Sequence, residues 1–123
     1  MDALQVNVYV TGECNRVCPE CYYPHSSSRM SSLMAEKVGD WITDLMWVEQ
    51  VLQFHIHFLG GEPLSNPSSI FTICDLINRG KANWTKPNPD GAFVTFTNGD
   101  YLDDVLLKEI KSRRIFCHTS CSF

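Results

Sequence analysis

Gln53-Phe54-His55-Ile56-His57-Phe58-Leu59-Gly60-Gly61-Glu62-Pro63-Leu64-Ser65-Asn66-Pro67 is the stretch on which the fold turns. Phe54, Ile56 and Phe58 alternate with Gln53, His55 and His57, the two-residue period of a strand with one face in a core. Gly60-Gly61 ends the run. Asn66 followed by Pro67 then predicts a helix start, because asparagine can accept from free first-turn amides and proline tolerates the first helical position. Ile70, Ile73, Cys74 and Ile77 fall on one face of that helix before Gly80. A strand and a helix joined by so few residues make a β/α unit.

The unit recurs on both sides. Upstream, Leu4, Val6, Val8 and Val10 alternate with Gln5, Asn7, Tyr9 and Thr11, and Gly12 ends this strand. Beyond a loop, Ser32 reads as an N-cap, and Val38, Trp41, Ile42, Leu45 and Val48 recur at helical spacing, with Gly39 lowering the propensity. Downstream, residues 81–91 are polar and carry Pro87, Pro89 and Gly91, which predicts the longest loop. Residues 92–97 read as a third strand. Leu102, Leu106 and Ile110 then repeat every four residues, with Asp103 and Asp104 at the start and Lys111, Arg113 and Arg114 at the end, matching the helix dipole. Residues 115–123 read as a fourth strand. The fold class expected is α/β, in the order βαβαβαβ, with a parallel sheet and helical crossovers.

A chain of 123 residues is one domain by length, and such a chain buries roughly two-thirds of its unfolded surface. It has no apolar run near the 18 residues of a membrane span, so no membrane association is expected. Asp2 stands where a secretory leader would carry positive charge, and no cleavage site follows an apolar stretch, so a cytoplasmic location is expected. A net charge of −4 and a pI near 5.4 argue against nucleic acid as a partner, the basic residues between 108 and 114 reading as a helix end.

Of six cysteines, Cys14, Cys18 and Cys21 are clustered, in the loop after the first strand. In a reducing compartment such clusters more often bind metal than form disulfides. Three thiolates on one short loop can ligate three irons of a [4Fe-4S] cube and leave the fourth open to another ligand. A zinc site is the competing reading, but it needs a fourth ligand that the loop lacks. Gly60-Gly61-Glu62-Pro63, taken alone, reads as a turn in which the glycines permit close backbone approach and the carboxylate can accept from an ammonium group. Thr97-Asn98-Gly99 alone reads as a turn or cap.

The CxxxCxxC spacing after the first strand, followed one β/α unit later by Gly-Gly-Glu-Pro, resembles the radical S-adenosylmethionine (radical-SAM) superfamily. Asn15 and Tyr22-Tyr23 are similar to the peptide- and protein-modifying members, of the anaerobic sulfatase-maturase kind, while Glu20 stands where the family usually has an aromatic residue. The resemblance implies a [4Fe-4S] cluster on Cys14, Cys18 and Cys21, with S-adenosylmethionine at the open iron. It implies reductive cleavage to a 5′-deoxyadenosyl radical and hydrogen abstraction from a substrate. It further implies cofactor-binding roles for Gly60, Gly61 and Glu62, for Asn98, and for Ser120, where the family has Ser-x-Asp and this chain has Ser122 in place of the acid. The architecture implied is the N-terminal portion of a partial (β/α)6 TIM-like barrel, with ligands at the carboxyl ends of the strands. Residues 1–123 would form the radical-SAM core as far as about its fourth strand. The partners implied are an electron donor such as a flavodoxin or ferredoxin, a peptide or small-molecule substrate, and a partner chain that completes the barrel.

Other residues read as structural. His55 and His57 share one strand face without an evident third ligand and are expected to be half-buried and hydrogen-bonded. Cys74, Cys117 and Cys121 are expected to be small buried hydrophobes. Trp41 and Trp47 are expected in the core or in helix packing, and the Asn83-Trp84-Thr85 sequon has no meaning in a cytosolic chain. Two functional classes follow: a radical-SAM enzyme, favoured by the paired motifs, and a non-catalytic iron-sulfur or zinc-binding module acting through a partner.

Overall fold

The structure is a computed structural model and describes residues 2–12, 28–84 and 89–119. Its elements are β1 (Ala3–Thr11), α1 (Ser32–Glu49), β2 (Gln53–Gly60), a short 3-10 turn (Pro63–Ser65), α2 (Pro67–Ala82), β3 (Asp90–Thr97), α3 (Asp104–Ser112) and β4 (Ile115–Thr119). The four strands form one sheet in the order β1-β2-β3-β4, every pair parallel. The α/β expectation therefore holds, as does the run of neighbouring parallel strands with which a β/α barrel is built.

Register places one side chain of each strand in a row across the sheet: Val8, Phe58, Thr95 and Cys117 on one face, and Asn7, His57, Val94 and Phe116 on the other. The first face carries the core. Leu4, Val8, Val10, Phe54, Ile56, Phe58 and Phe93 are buried there, with Ala35, Ile42 and Met46 of α1 and Ile70, Ile73, Cys74 and Ile77 of α2. The second face is partly open, with Tyr9 54% and Phe116 63% exposed. Each helix is thus a crossover on one side of a parallel sheet, leaving the opposite side for a different use.

Local details differ from the reading of the sequence. Ser31, one residue before the expected cap, accepts from the Met34 amide at 3.1 Å. Helix α2 runs through Gly80 to Ala82. A Cβ at Gly80 would fall on Cγ2 of Thr43, and one at Gly39 would lie 2.9 Å from Cδ1 of Leu76, so both glycines mark the close crossing of α1 over α2. Trp47 does pack, its ring 5.2 Å from that of Trp84, but Trp41 is 58% exposed, contrary to the core position expected of it. Arg113 ties α3 to α2: its guanidinium donates to both Asp75 oxygens, at 2.8 and 3.1 Å, and to Glu109 at 2.6 Å.

Candidate cluster and cofactor site

Parallel strands end together, so the residues after β1, β2 and β3 meet at one edge of the sheet. There Gly60 has φ +141°, outside the range of other residues, and a Cβ on it would fall on the Thr11 carbonyl oxygen. The Gly61 amide donates to that same oxygen at 3.1 Å. The glycine pair is therefore what lets the ends of β1 and β2 come together.

Glu62 is 1% exposed and accepts three hydrogen bonds from the protein. Oε2 accepts from the Leu64 amide at 2.9 Å and from the Thr97 hydroxyl at 2.7 Å, and Oε1 accepts from the Asn98 amide at 2.7 Å. The carboxylate thus caps the 3-10 turn and binds the end of β2 to the end of β3. Ionised carboxylates offer about four acceptor sites, so one lone pair is left, on Oε1, and the donor set still fits one ammonium hydrogen bond. Thr97 Oγ1 in turn accepts from the Gly99 amide at 3.0 Å, and Asn98 Oδ1 accepts from the Asp100 amide at 2.9 Å. Gly99, with φ +85°, completes the turn in a conformation suited to glycine.

Cys14, Cys18, Cys21 and Ser120 lie outside the described residues, as does Cys121. The base of the cysteine-bearing segment is described, however, and it stands at this edge. Chain leaving β1 at Gly12 returns at Ser28, where the Gly12 amide donates to the Ser28 carbonyl at 2.7 Å and the Met30 amide donates to the Val10 carbonyl at 2.9 Å. Thr11 and Arg29 form an antiparallel bridge. Asn66, expected to cap α2, makes no side-chain capping bond. Its buried amide instead donates to the Val10 carbonyl at 2.9 Å and the Met30 carbonyl at 3.1 Å, clamping both sides of the base. Arg29 donates to the Ser65 carbonyl at 2.6 Å, and the Ser69 hydroxyl donates to Met30 at 3.3 Å. Reading the sequence missed Arg29, and it named Asn66 and Thr97 in other roles, as a helix cap and as part of a turn, where the structure makes them the clamp of the loop base and a partner of the carboxylate.

On the open sheet face, His57, Phe96 and His118 form a row, with ring centroids 5.4 and 5.2 Å apart. Among the described residues the His57 ring makes these edge contacts in place of the expected hydrogen bonds, and burial followed by the proximity of His55 holds its pKa below the usual value. Among the described residues no group of three His, Cys, Asp or Glu side chains is placed to hold a metal, so nothing described competes with the cysteine loop. Cys74 is fully buried, as expected, with burial pushing its thiol up, whereas Cys117 is exposed on β4. A cleft bordered by Lys81, Asp90 and Arg114 opens at the opposite, amino-terminal end of the strands and shares no residue with this site.

The structure is similar to one described as native anSMEcpe with bound AdoMet and Cp18Cys peptide, with a TM-score of 0.72 and 19% identity. The likeness covers 94% of this chain and 30% of that one, so the chain spans about a third of the neighbour's length. At that identity the likeness is one of fold, and it agrees with the α/β architecture expected from the sequence. No curated protein matches the sequence. The model of the 4Fe-4S single cluster domain matches residues 3–113, nearly the whole of the described sheet and its helices. A [4Fe-4S] cluster and AdoMet, the two cofactors expected from the sequence, are thus the ones that appear in these comparisons. By that match, this chain belongs to the 4Fe-4S single cluster domain family.

Proposed function

We propose that Cys14, Cys18 and Cys21 hold a [4Fe-4S] cluster at which the chain binds S-adenosylmethionine, for radical hydrogen abstraction from a substrate of the peptide class. The observation that carries this reading is the meeting, at one sheet edge, of the clamped base of the cysteine loop with Gly60-Gly61-Glu62 and Thr97-Asn98-Gly99. The bound pair would supply one-electron cleavage of S-adenosylmethionine to methionine and a 5′-deoxyadenosyl radical, the electron coming from a flavodoxin- or ferredoxin-type donor of the cytoplasm.

The chain's own residues have separable tasks. Thiolates of Cys14, Cys18 and Cys21 ligate iron. Gly60 and Gly61 bring bare backbone to the edge, and the remaining lone pair of Glu62 Oε1 accepts from the cofactor's ammonium group. Asn98, whose amide is fixed by Glu62, and the Ser120 hydroxyl contribute further polar contacts. Tyr9, His57, Phe96 and His118, on the sheet face away from the helices, offer a mixed aromatic and polar floor for a peptide substrate. The three hydrogen bonds that Glu62 already accepts from the protein favour a second reading, in which the edge is held together for cluster binding alone.

The two readings separate on anaerobic reconstitution with iron and sulfide, followed by EPR of the reduced protein with and without S-adenosylmethionine. We expect a four-iron cluster whose signal changes on adding S-adenosylmethionine, and loss of the full cluster in each of Cys14→Ala, Cys18→Ala and Cys21→Ala. Uptake of zinc without iron would overturn the cluster assignment. A cluster signal indifferent to S-adenosylmethionine would overturn the enzymatic reading and leave the second.

A further inference from the structure

Helix α1 carries two apolar stripes, and the core uses one. Ala35, Gly39, Ile42 and Met46 are buried against the sheet. Gly39 and Thr43 meet α2 at Leu76 and Gly80, and Trp47 meets Trp84 beyond it. Met34, Val38, Trp41, Leu45 and Val48 recur at intervals of four, three, four and three residues. At about 100° per residue they lie roughly half a turn from Thr43, on the flank turned away from α2. Val38 and Leu45 are half-covered by the core, but Met34 is 49%, Trp41 58% and Val48 71% exposed. Spacing of this kind is the seam of a two-helix coiled coil.

We propose that this stripe is a homodimer interface, covered by α1 of a second copy running antiparallel about a two-fold axis. Self-complementarity in both shape and charge singles out that occupant. In the antiparallel register, Val38 lies against Trp41 of the second copy, and Leu45 against Met34 of the second copy, so small and large side chains alternate across the seam. Only one flank of the seam is open, because the other faces the chain's own sheet. That open flank carries Lys37 and Asp44, which the same register sets opposite Asp44 and Lys37 of the second copy. Within one helix the two are seven residues, about 10 Å, apart and do not pair. Neither forms an ion pair among the described residues. An isologous contact needs each patch to complement itself, and this one does so twice, with two Lys37–Asp44 pairs related by the axis.

The 18-residue helix is about 27 Å long, so the seam alone is small beside a standard interface, and a dimer that dissociates in the micromolar range is expected. The test is sedimentation equilibrium of the whole chain across that concentration range, with circular dichroism confirming that each variant keeps its helices. Trp41→Asp should leave a monomer. Lys37→Asp sets like charges together twice and should raise the dissociation constant about tenfold. Adding Asp44→Lys to Lys37→Asp should restore it. A wild-type chain that stays monomeric, with Trp41 shielded from an aqueous quencher by other parts of its own chain, would overturn the proposal. So would a dimer indifferent to Trp41→Asp, or one that the double charge exchange fails to recover.

Discussion

Replacing Glu62 by Gln removes a charge and one acceptor from a group that is 1% exposed. In the better orientation the amide oxygen takes the place of Oε2 and keeps the Leu64 amide and the Thr97 hydroxyl. The NH2 group then faces the Asn98 amide, donor against donor, at a contact that is 2.7 Å in the parent. The opposite orientation loses the Leu64 amide bond instead and makes the Thr97 hydroxyl an acceptor from the NH2 group. A hydrogen bond to a charged group contributes about 1.5–3 kcal/mol, and the two retained bonds weaken as they become neutral, so a loss of about 2–4 kcal/mol is expected. For a chain of this size that lowers the melting temperature by about 8–16 °C. Urea unfolding of parent and variant, with the slopes compared, measures it. Thr97→Val should cost about 1–2 kcal/mol by itself and less in the Glu62→Gln background, because the two groups share a bond. A Glu62→Gln variant within about 0.5 kcal/mol of the parent, the scatter of ordinary surface substitutions, would refute the claim that this carboxylate holds the strand ends together. Calorimetry on the folded variant then reports the remaining lone pair of Oε1 separately, through a weakened affinity for S-adenosylmethionine.

Asn66→Asp sets a carboxylate against the Val10 and Met30 carbonyl oxygens in place of two donated hydrogen bonds, and should lower both stability and the iron retained on reconstitution. Full iron content in a stable variant would show that the loop base does not depend on Asn66. Gly80→Ala gains about 1 kcal/mol of helix propensity but drives a methyl into Cγ2 of Thr43, whose hydroxyl is held by the Gly39 carbonyl at 2.8 Å. A net destabilisation of about 1 kcal/mol is expected, relieved when Thr43→Ser removes that methyl, and strict additivity of the two changes would argue against the contact. Burial, then His55, lowers the His57 pKa, so the fold favours the neutral ring. Its contribution is complete above the unfolded value near 6.5 and is lost as the pH falls through the lower folded value, a pH-dependent step that His57→Asn should reduce.

Glu62, Gly60, Gly61 and Asn98 were legible as site candidates because a short motif states their chemistry within a few residues. Their geometry was not. Glu62 meets Thr97 and Asn98 across 35 and 36 positions, and Asn66 meets Val10 across 56, distances in sequence over which no local periodicity carries information. The same limit explains Gly80, which reads as a helix stop until α1 lies against it. It also explains Trp41, whose helical spacing is that of a core residue although it sits on the flank that neither the sheet nor α2 covers.

By itself the sequence determined the alternation of strands and helices, since a period of two against one near four is a property of neighbouring residues, and it located the cysteine loop and the glycine pair in the turns that follow strands. The tertiary structure alone decided that the base of the cysteine loop meets the turns after β2 and β3. Parallel pairing in the order β1-β2-β3-β4 brings every carboxyl end to one edge, where a single buried carboxylate and a single asparagine can find all of their partners. Hydrogen-bond donors in a parallel sheet's end turns have no partner within their own strand, so which side chain satisfies them is settled only when distant segments are packed together.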